Sequence, residues 1–219
     1  MSDYFELYDY RMRVAEIYRE RNQALRDGAE PSATAERFRE QRDDLFRNHS
    51  QSALDEEQKR VFQGINYFPY NPAAVFEVTV EEQQEVRRQS VTMNAEEQME
   101  MSTIGRLNFE VEGSPVSLSL YWLEIYGGGL FLPFRDATSP AESYGGGRYL
   151  FDTIKGSNFL EVGSSNGQSL TGRKIVLDFN YAYNPSCAYN SRWVCPLAPV
   201  ENRISVALRA GEMNFAYSK

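Results

Sequence analysis

The chain has 219 residues and a net charge of −8, from 31 Asp and Glu against 23 Lys and Arg. Its 42% hydrophobic and 13% aromatic content excludes a disordered chain, which lacks the residues needed to offset chain entropy, and its length suits one domain with an appendage. The acidic balance, with no long Lys/Arg cluster to displace counterions, argues against nucleic acid and anionic membrane surfaces as partners.

The opening MSDYFELYDYRMR places acidic residues where a secretion signal needs cations, and no apolar stretch approaches a membrane span, so a cytoplasmic protein is expected. Leu7, Tyr10, Val14 and Ile17 recur at helical spacing, and Asp3 and Glu6 sit where the helix dipole favours anions. They predict a helix over residues 3–26, terminated at Gly28. A second helix is predicted over 34–48, with Phe38, Leu45 and Phe46 on one side, and a short helical turn over 55–62. From Tyr67 onward the pattern changes to strands at 75–80, 85–93, 98–111, 116–125, 130–134 and 148–154, with further candidates at 159–162, 174–180 and 204–209. In VSLSLYW, alternation puts Val116, Leu118, Leu120 and Trp122 on one face and Ser117, Ser119 and Tyr121 on the other. Short strands joined by Gly, Asn and Ser turns without intervening helices predict a mainly β fold, an antiparallel barrel or sandwich preceded by two N-terminal α-helices. The expected organisation is a helical extension (1–33), a helical lead-in packing on the β domain (34–66) and the antiparallel β domain (67–219).

Residues 178–202, DFNYAYNPSCAYNSRWVCPLAPVEN, hold both cysteines and a dense mix of aromatic, amide and ionic side chains punctuated by Pro185, Pro196 and Pro199. They read as a long structured loop, either functional or tied down by its own side chains. Two glycine triplets, Gly127-Gly128-Gly129 and Gly145-Gly146-Gly147, precede strands and read first as turns. The functional alternative for the second is an anion nest backed by Arg148.

Taken together, FRDATSPAESYGGGRYLF (134–151), DFNYAYNPSCAY (178–189) and CPLAPVENRISVALRAGE (195–212) resemble the signature blocks of the prokaryotic family DUF1684, with weaker similarity back to about residue 36. The resemblance implies a β-rich domain preceded by a short helix and brings no assigned activity. Ser139-Pro140-Ala141 departs from the Gly-containing turn expected there. The polar members of these blocks include Arg135, Asp136, Tyr144, Arg148, Asp178, Asn180, Asn184, Cys187, Glu201 and Asn202.

The chemistry of these residues leaves alternatives open. His49, the single histidine, lies outside the blocks, which argues against Ser-His-Asp and Cys-His pairs and favours a surface or capping position. Cys187 and Cys195 match no familiar zinc-ligand spacing, so no metal is expected, and no cofactor is implied. Asp136, Asp178 and Glu201 suit acid/base work, or else ion pairs with Arg135 and Arg148 that lock the loop down. Asn180, Asn184 and Asn202 suit a ligand, or else the capping of loop backbone groups. The expected site is a cleft for a small polar or anionic ligand. Its walls are Tyr144 and Tyr183, its anion partner Arg148, its backbone nest Gly145, Gly146 and Gly147, and its remaining contacts Asn180, Asn184, Cys187 and Asn202. Asp136, Asp178 and Glu201 orient the ligand or hydrolyse it. The competing expectation is a non-catalytic interaction protein whose N-terminal helix docks a partner or a second copy.

Overall fold

The computed structural model describes residues 2–93, 98–162 and 172–215. Helix α1 (Ser2–Arg26) carries Asp3 in its first turn and Arg26 in its last, complementing the helix dipole, and the chain turns at Gly28 as expected. Helix α2 (Pro31–Asn48) is opened by Glu30, whose carboxylate accepts from the N–H groups of Ser32 and Ala33. Helix α3 (Glu56–Val61) begins with a reciprocal capping box between Asp55 and Gln58.

Seven strands follow: β1 (Val75–Thr92), β2 (Gln98–Val111), β3 (Ser114–Leu123), β4 (Gly129–Phe134), β5 (Arg148–Asp152), β6 (Leu160–Val162) and β7 (Lys174–Asp178). They form one sheet in the order β5-β4-β3-β2-β1-β7-β6, with every neighbouring pair antiparallel. The fold is mainly β with N-terminal helices. No ladder joins β5 to β6 among the described residues, so the sheet is not closed into the barrel that the strand pattern allowed. The free edge of β5 is occupied instead by Tyr183, which exchanges both backbone hydrogen bonds with Tyr149, at 2.8 and 2.9 Å.

Strand β1 does the work assigned in the sequence to two strands. Its residues 75–79 pair with β7 and its residues 80–92 with β2. The interruption expected near residues 81–84 is an irregularity within one strand, where the ladder steps from Glu82 opposite Gly105 to Arg87 opposite Thr103. The predicted strand at 204–209 does not form. That segment runs beside residues 135–137, where Ile204 N–H donates to Arg135 and Ala137 N–H to Val206, but Leu208 N–H turns to the Asp136 side chain. In β3 the one-faced alternation also gives way. Leu118 and Leu120 join the main core with Phe134, Phe151 and Leu177, whereas Tyr121 is fully buried on the opposite face with Met101, Phe131 and Tyr149. Trp122 keeps the parity of Leu118 and Leu120 but is 37% exposed beside Gly128.

The helices pack onto aromatic side chains of the 178–202 loop. Tyr181 meets Phe38 edge-on at 4.8 Å in a cluster with Val14, Ile17, Tyr18 and Leu45, and Tyr189 meets Phe46 at 4.9 Å in a second cluster. Thus Val14 and Ile17, the deeper part of the stripe expected to dock a partner, are covered within this chain. Tyr4, Phe5, Tyr8 and Met12 are the large apolar residues that α1 exposes. Among the described residues no helix is long and apolar enough to cross a membrane.

Gly156 (φ 90°) fixes how closely α1 approaches the sheet, because a Cβ there would lie 2.9 Å from both Ala15 N and Arg11 O. Gly156→Ala is expected to cost about 2 kcal/mol or more, the left-handed backbone penalty plus displacement of α1. Gly113→Ala, with φ 79° and open space around it, supplies the backbone penalty alone. The difference between the two urea midpoints measures the helix contact, and equal losses would refute it.

Candidate functional site

Residues 178–215 contain little regular structure, so their buried backbone groups need partners from side chains. Two asparagines act as substitute peptide groups. Asn180, 1% exposed, accepts from Asn71 N–H at 2.7 Å and donates to Asn71 O at 2.9 Å. Asn202, fully buried, accepts from Ser119 N–H at 2.7 Å and donates to Ser119 O at 3.0 Å and Pro133 O at 2.7 Å. The asparagine amide therefore bridges β3 and β4 where Pro133, which has no N–H, breaks their ladder.

Arg148 and Asp136 come together, but as a buried frame. One guanidinium nitrogen of Arg148 donates to Ala210 O and Glu212 O, and the other to Leu208 O and to Asp136 at 3.1 Å. Asp136 also accepts from the Thr138 hydroxyl and Leu208 N–H. Burial pulls the Arg148 pKa down, opposed by Asp136. Arg148, expected as the anion partner, has both terminal nitrogens spent on the chain itself, out of reach of solvent. Of the expected nest, the third N–H is engaged within the turn itself. Gly147 N–H closes a turn onto Tyr144 O, and Gly146 O accepts from Ala198 N–H. Gly147 has φ 91°, and a Cβ there would meet Phe134 O at 2.5 Å, so the position requires glycine.

The three carboxylates do not converge. Asp178, its pKa raised by burial, accepts from the backbone and side-chain N–H of Asn180. Glu201 is exposed and accepts from Gln89 in a surface groove. Tyr144 directs its hydroxyl at Cys187 Sγ, 3.5 Å away. His49 is the C-cap residue of α2, and it is buried, with Nδ1 accepting from Gln51 N–H and Nε2 lying 3.0 Å from Asp9. Among the described residues no cluster of His, Cys, Asp or Glu is arranged to hold a metal ion.

Tyr183 and Asn184 are the two expected site residues that line a semi-enclosed cavity of about 60 Å³ between the helices and the loop. Its other walls include Tyr10 and Val14 of α1, Arg42 and Phe46 of α2, and Lys155, Ser157 and Tyr189. Beside it lies a buried ion pair, Arg42 to Glu212 at 2.5 Å. Glu212 also accepts from the Tyr189 hydroxyl and, at 2.7 Å, from Asn184 N–H. Burial is the largest influence and opposes the Arg42 charge, but Glu212 together with the Tyr67, Tyr18 and Tyr189 phenols outweighs it and raises the pKa. Burial pushes the phenols of Tyr183 and Tyr189 well above their usual range. Asn184 is 3% exposed; its Nδ2 donates to Met213 O, and its Oδ1 is buried without a donor.

A family model described as a protein of unknown function, DUF1684, matches residues 60–213, well over half of the chain. The chain belongs to the DUF1684 family. A similar solved structure is the solution NMR structure of an uncharacterised protein from Haloarcula marismortui. It is 30% identical, with a TM-score of 0.59, covering 83% of this chain and 92% of its own. No curated protein matches the chain. Within this DUF1684 fold, the cavity residues missed in the sequence are Tyr10, Arg42, Lys155 and Ser157, together with Glu212 beside them. Arg42 had a legible signal, since it lies four residues from both Phe38 and Phe46 on the buried face of α2.

Two stability outcomes follow from this geometry. Glu212→Gln is expected to lose roughly 3–5 kcal/mol by leaving Arg42 buried without its counter-charge, and Arg42→Met with Glu212→Leu to recover part of that loss. A denaturant double-mutant cycle checks this, and additive losses would contradict it. Asn202→Ala is expected to cost about 2–4 kcal/mol by orphaning Ser119 and Pro133 backbone groups. Calorimetry showing a loss below about 0.5 kcal/mol would rule out the peptide-substitute role.

Proposed function

We propose that the chain binds a small polar molecule in the cavity formed by Tyr10, Arg42, Lys155, Tyr183, Asn184 and Tyr189. The observation that carries this reading is the buried Asn184 Oδ1, which lacks a donor in a residue that lines the cavity. A buried acceptor without a partner is costly, and a ligand O–H or N–H relieves that cost. The cavity volume suits a group of a few heavy atoms, whether a whole small molecule or the end of a larger one.

Charge narrows the class further. Arg42 is neutralised by Glu212, so the cation at the rim is Lys155, whose side chain is 48% exposed and 4.0 Å from Asp152. A small hydroxy acid or amino acid matches this pattern, with its carboxylate toward Lys155 and its hydroxyl or amine toward Asn184. The reading is one of binding. Asp136, Asp178 and Glu201 take no part in it, because each is engaged elsewhere in the fold.

A thermal-shift screen of the full chain against hydroxy acids, amino acids, amines and polyols tests the reading. At a hundredfold excess over Kd, a true ligand stabilises the native state by about 2.7 kcal/mol, seen as a raised Tm. Asn184→Leu is expected to abolish the shift, and Lys155→Met to weaken the carboxylate-bearing compounds selectively. A silent screen, together with a crystal structure in which water alone satisfies Asn184 Oδ1, would overturn it.

A further inference from the structure

Cys187 and Cys195 are eight positions apart in sequence, yet the fold sets them side by side. The backbone N–H of Cys187 donates to Cys195 Sγ at 3.4 Å, and neither residue is in a disulfide. The chain between them is pinned to the α2–α3 connection. Asn190 donates to Asp55 at 2.9 Å and Gln58 at 3.1 Å, Arg192 to Ser52 O and Leu54 O, and Trp193 Nε1 to Ala53 O at 3.0 Å. On the far side, Pro196 O is held by the Tyr149 hydroxyl. Neither sulfur is therefore free to drift from the other.

Their surroundings differ. Cys195 is 1% exposed, whereas Cys187 is half-buried and lies under the Tyr144 hydroxyl. The Cys187 thiol donates toward Cys195 and favours its thiolate, with the pKa lowered to about 6, while the same contact and burial push Cys187 up. The contact between the two sulfurs thus favours ionisation at Cys195, and the thiolate is the form in which a dithiol reacts.

We infer that Cys187 and Cys195 form a two-electron redox pair that closes reversibly to a disulfide on reaction with hydrogen peroxide. The Cys195 thiolate attacks one peroxide oxygen, the O–O bond breaks, and Cys195 becomes a sulfenic acid while hydroxide leaves. That hydroxide takes the Cys187 proton and becomes water. The Cys187 thiolate then attacks the Cys195 sulfur, forming the S–S bond and breaking the S–O bond. The departing hydroxide takes a solvent proton, equivalent to the one released when Cys195 ionised. Two thiols and one peroxide give one disulfide and two waters. The bond would fasten the 3-10 turn Ser186–Ala188, next to the cavity wall at Asn184, to Pro196. The inference stands independently of what the cavity binds.

The test is intact mass measurement of the full chain after a small molar excess of hydrogen peroxide and a quench with iodoacetamide. The sequence has no other cysteine, so an unlabelled monomer two hydrogens lighter identifies this disulfide. Dithiothreitol should restore two labelled sites. Trp193, lying between the thiols, should change its fluorescence in step, read in Trp122→Phe. Cys187→Ser, altering the more accessible thiol, should instead leave a sulfenic acid on Cys195 that dimedone traps. A sulfinic or sulfonic acid on one cysteine with the other still labelled, a disulfide-linked dimer on a non-reducing gel, or two labels on unreacted protein would each overturn the inference.

Discussion

Two opposite charges removed from water, Arg42 on α2 and Glu212 on the segment after the sheet, set the terms for the rest of the molecule. Arg42 is 5% exposed and Glu212 fully buried. Neither charge is tolerable there without the other, so wherever α2 packs, residue 212 has to follow. The guanidinium also lies over the rings of Phe46 and Tyr183, at 5.4 and 5.3 Å, which ties the ion pair to the aromatic layer between helices and loop. The cavity sits beside this pair because a rigid, fully engaged charge network cannot collapse to fill every neighbouring space as an apolar cluster can.

The same constraint explains the look of the 178–215 segment. A strand satisfies its backbone by pairing, whereas in this segment Leu208 is held by Asp136 and Arg148, and Asn180 and Asn202 in turn hold backbone groups of Asn71, Ser119 and Pro133. Polar residues that resemble an active site are here the fastenings of an irregular layer. Their burial makes them demanding: each fastening is specific because any buried amide or carboxylate left unmatched is expensive.

What could be read in the sequence follows from how local each signal is. The stripe Val14, Ile17 and the pair Phe38, Leu45 specify helices within a few turns, and both formed where expected. The strands were legible, but not their partners: the return of β7 to β1 joins residues about a hundred positions apart and leaves no periodic trace. Tyr121 was assigned to the wet face because alternation presumes one solvated side, and the loop removes that side. The density of asparagine in the loop was legible as backbone capping, whereas the three carbonyls around the Arg148 guanidinium were not, because sequence does not reveal which backbone groups surround a side chain. Glu212 lay inside a recognisable block, but a lone glutamate next to glycine carries no sign of burial. Arg42 did carry one, in its position on an apolar helix face.

The location of Arg148's partners bears on how the protein is made. Its guanidinium rests on Leu208 O, Ala210 O and Glu212 O, all synthesised after every strand of the sheet, and Glu212 also answers Arg42 near the start. A ribosome-bound chain that has exposed α2 and all seven strands therefore still lacks the counter-charge of Arg42 and the three carbonyls that surround Arg148. The layer between helices and sheet closes only once residues 208–212 have left the exit tunnel, and the exposed apolar surface before that point is what a chaperone binds.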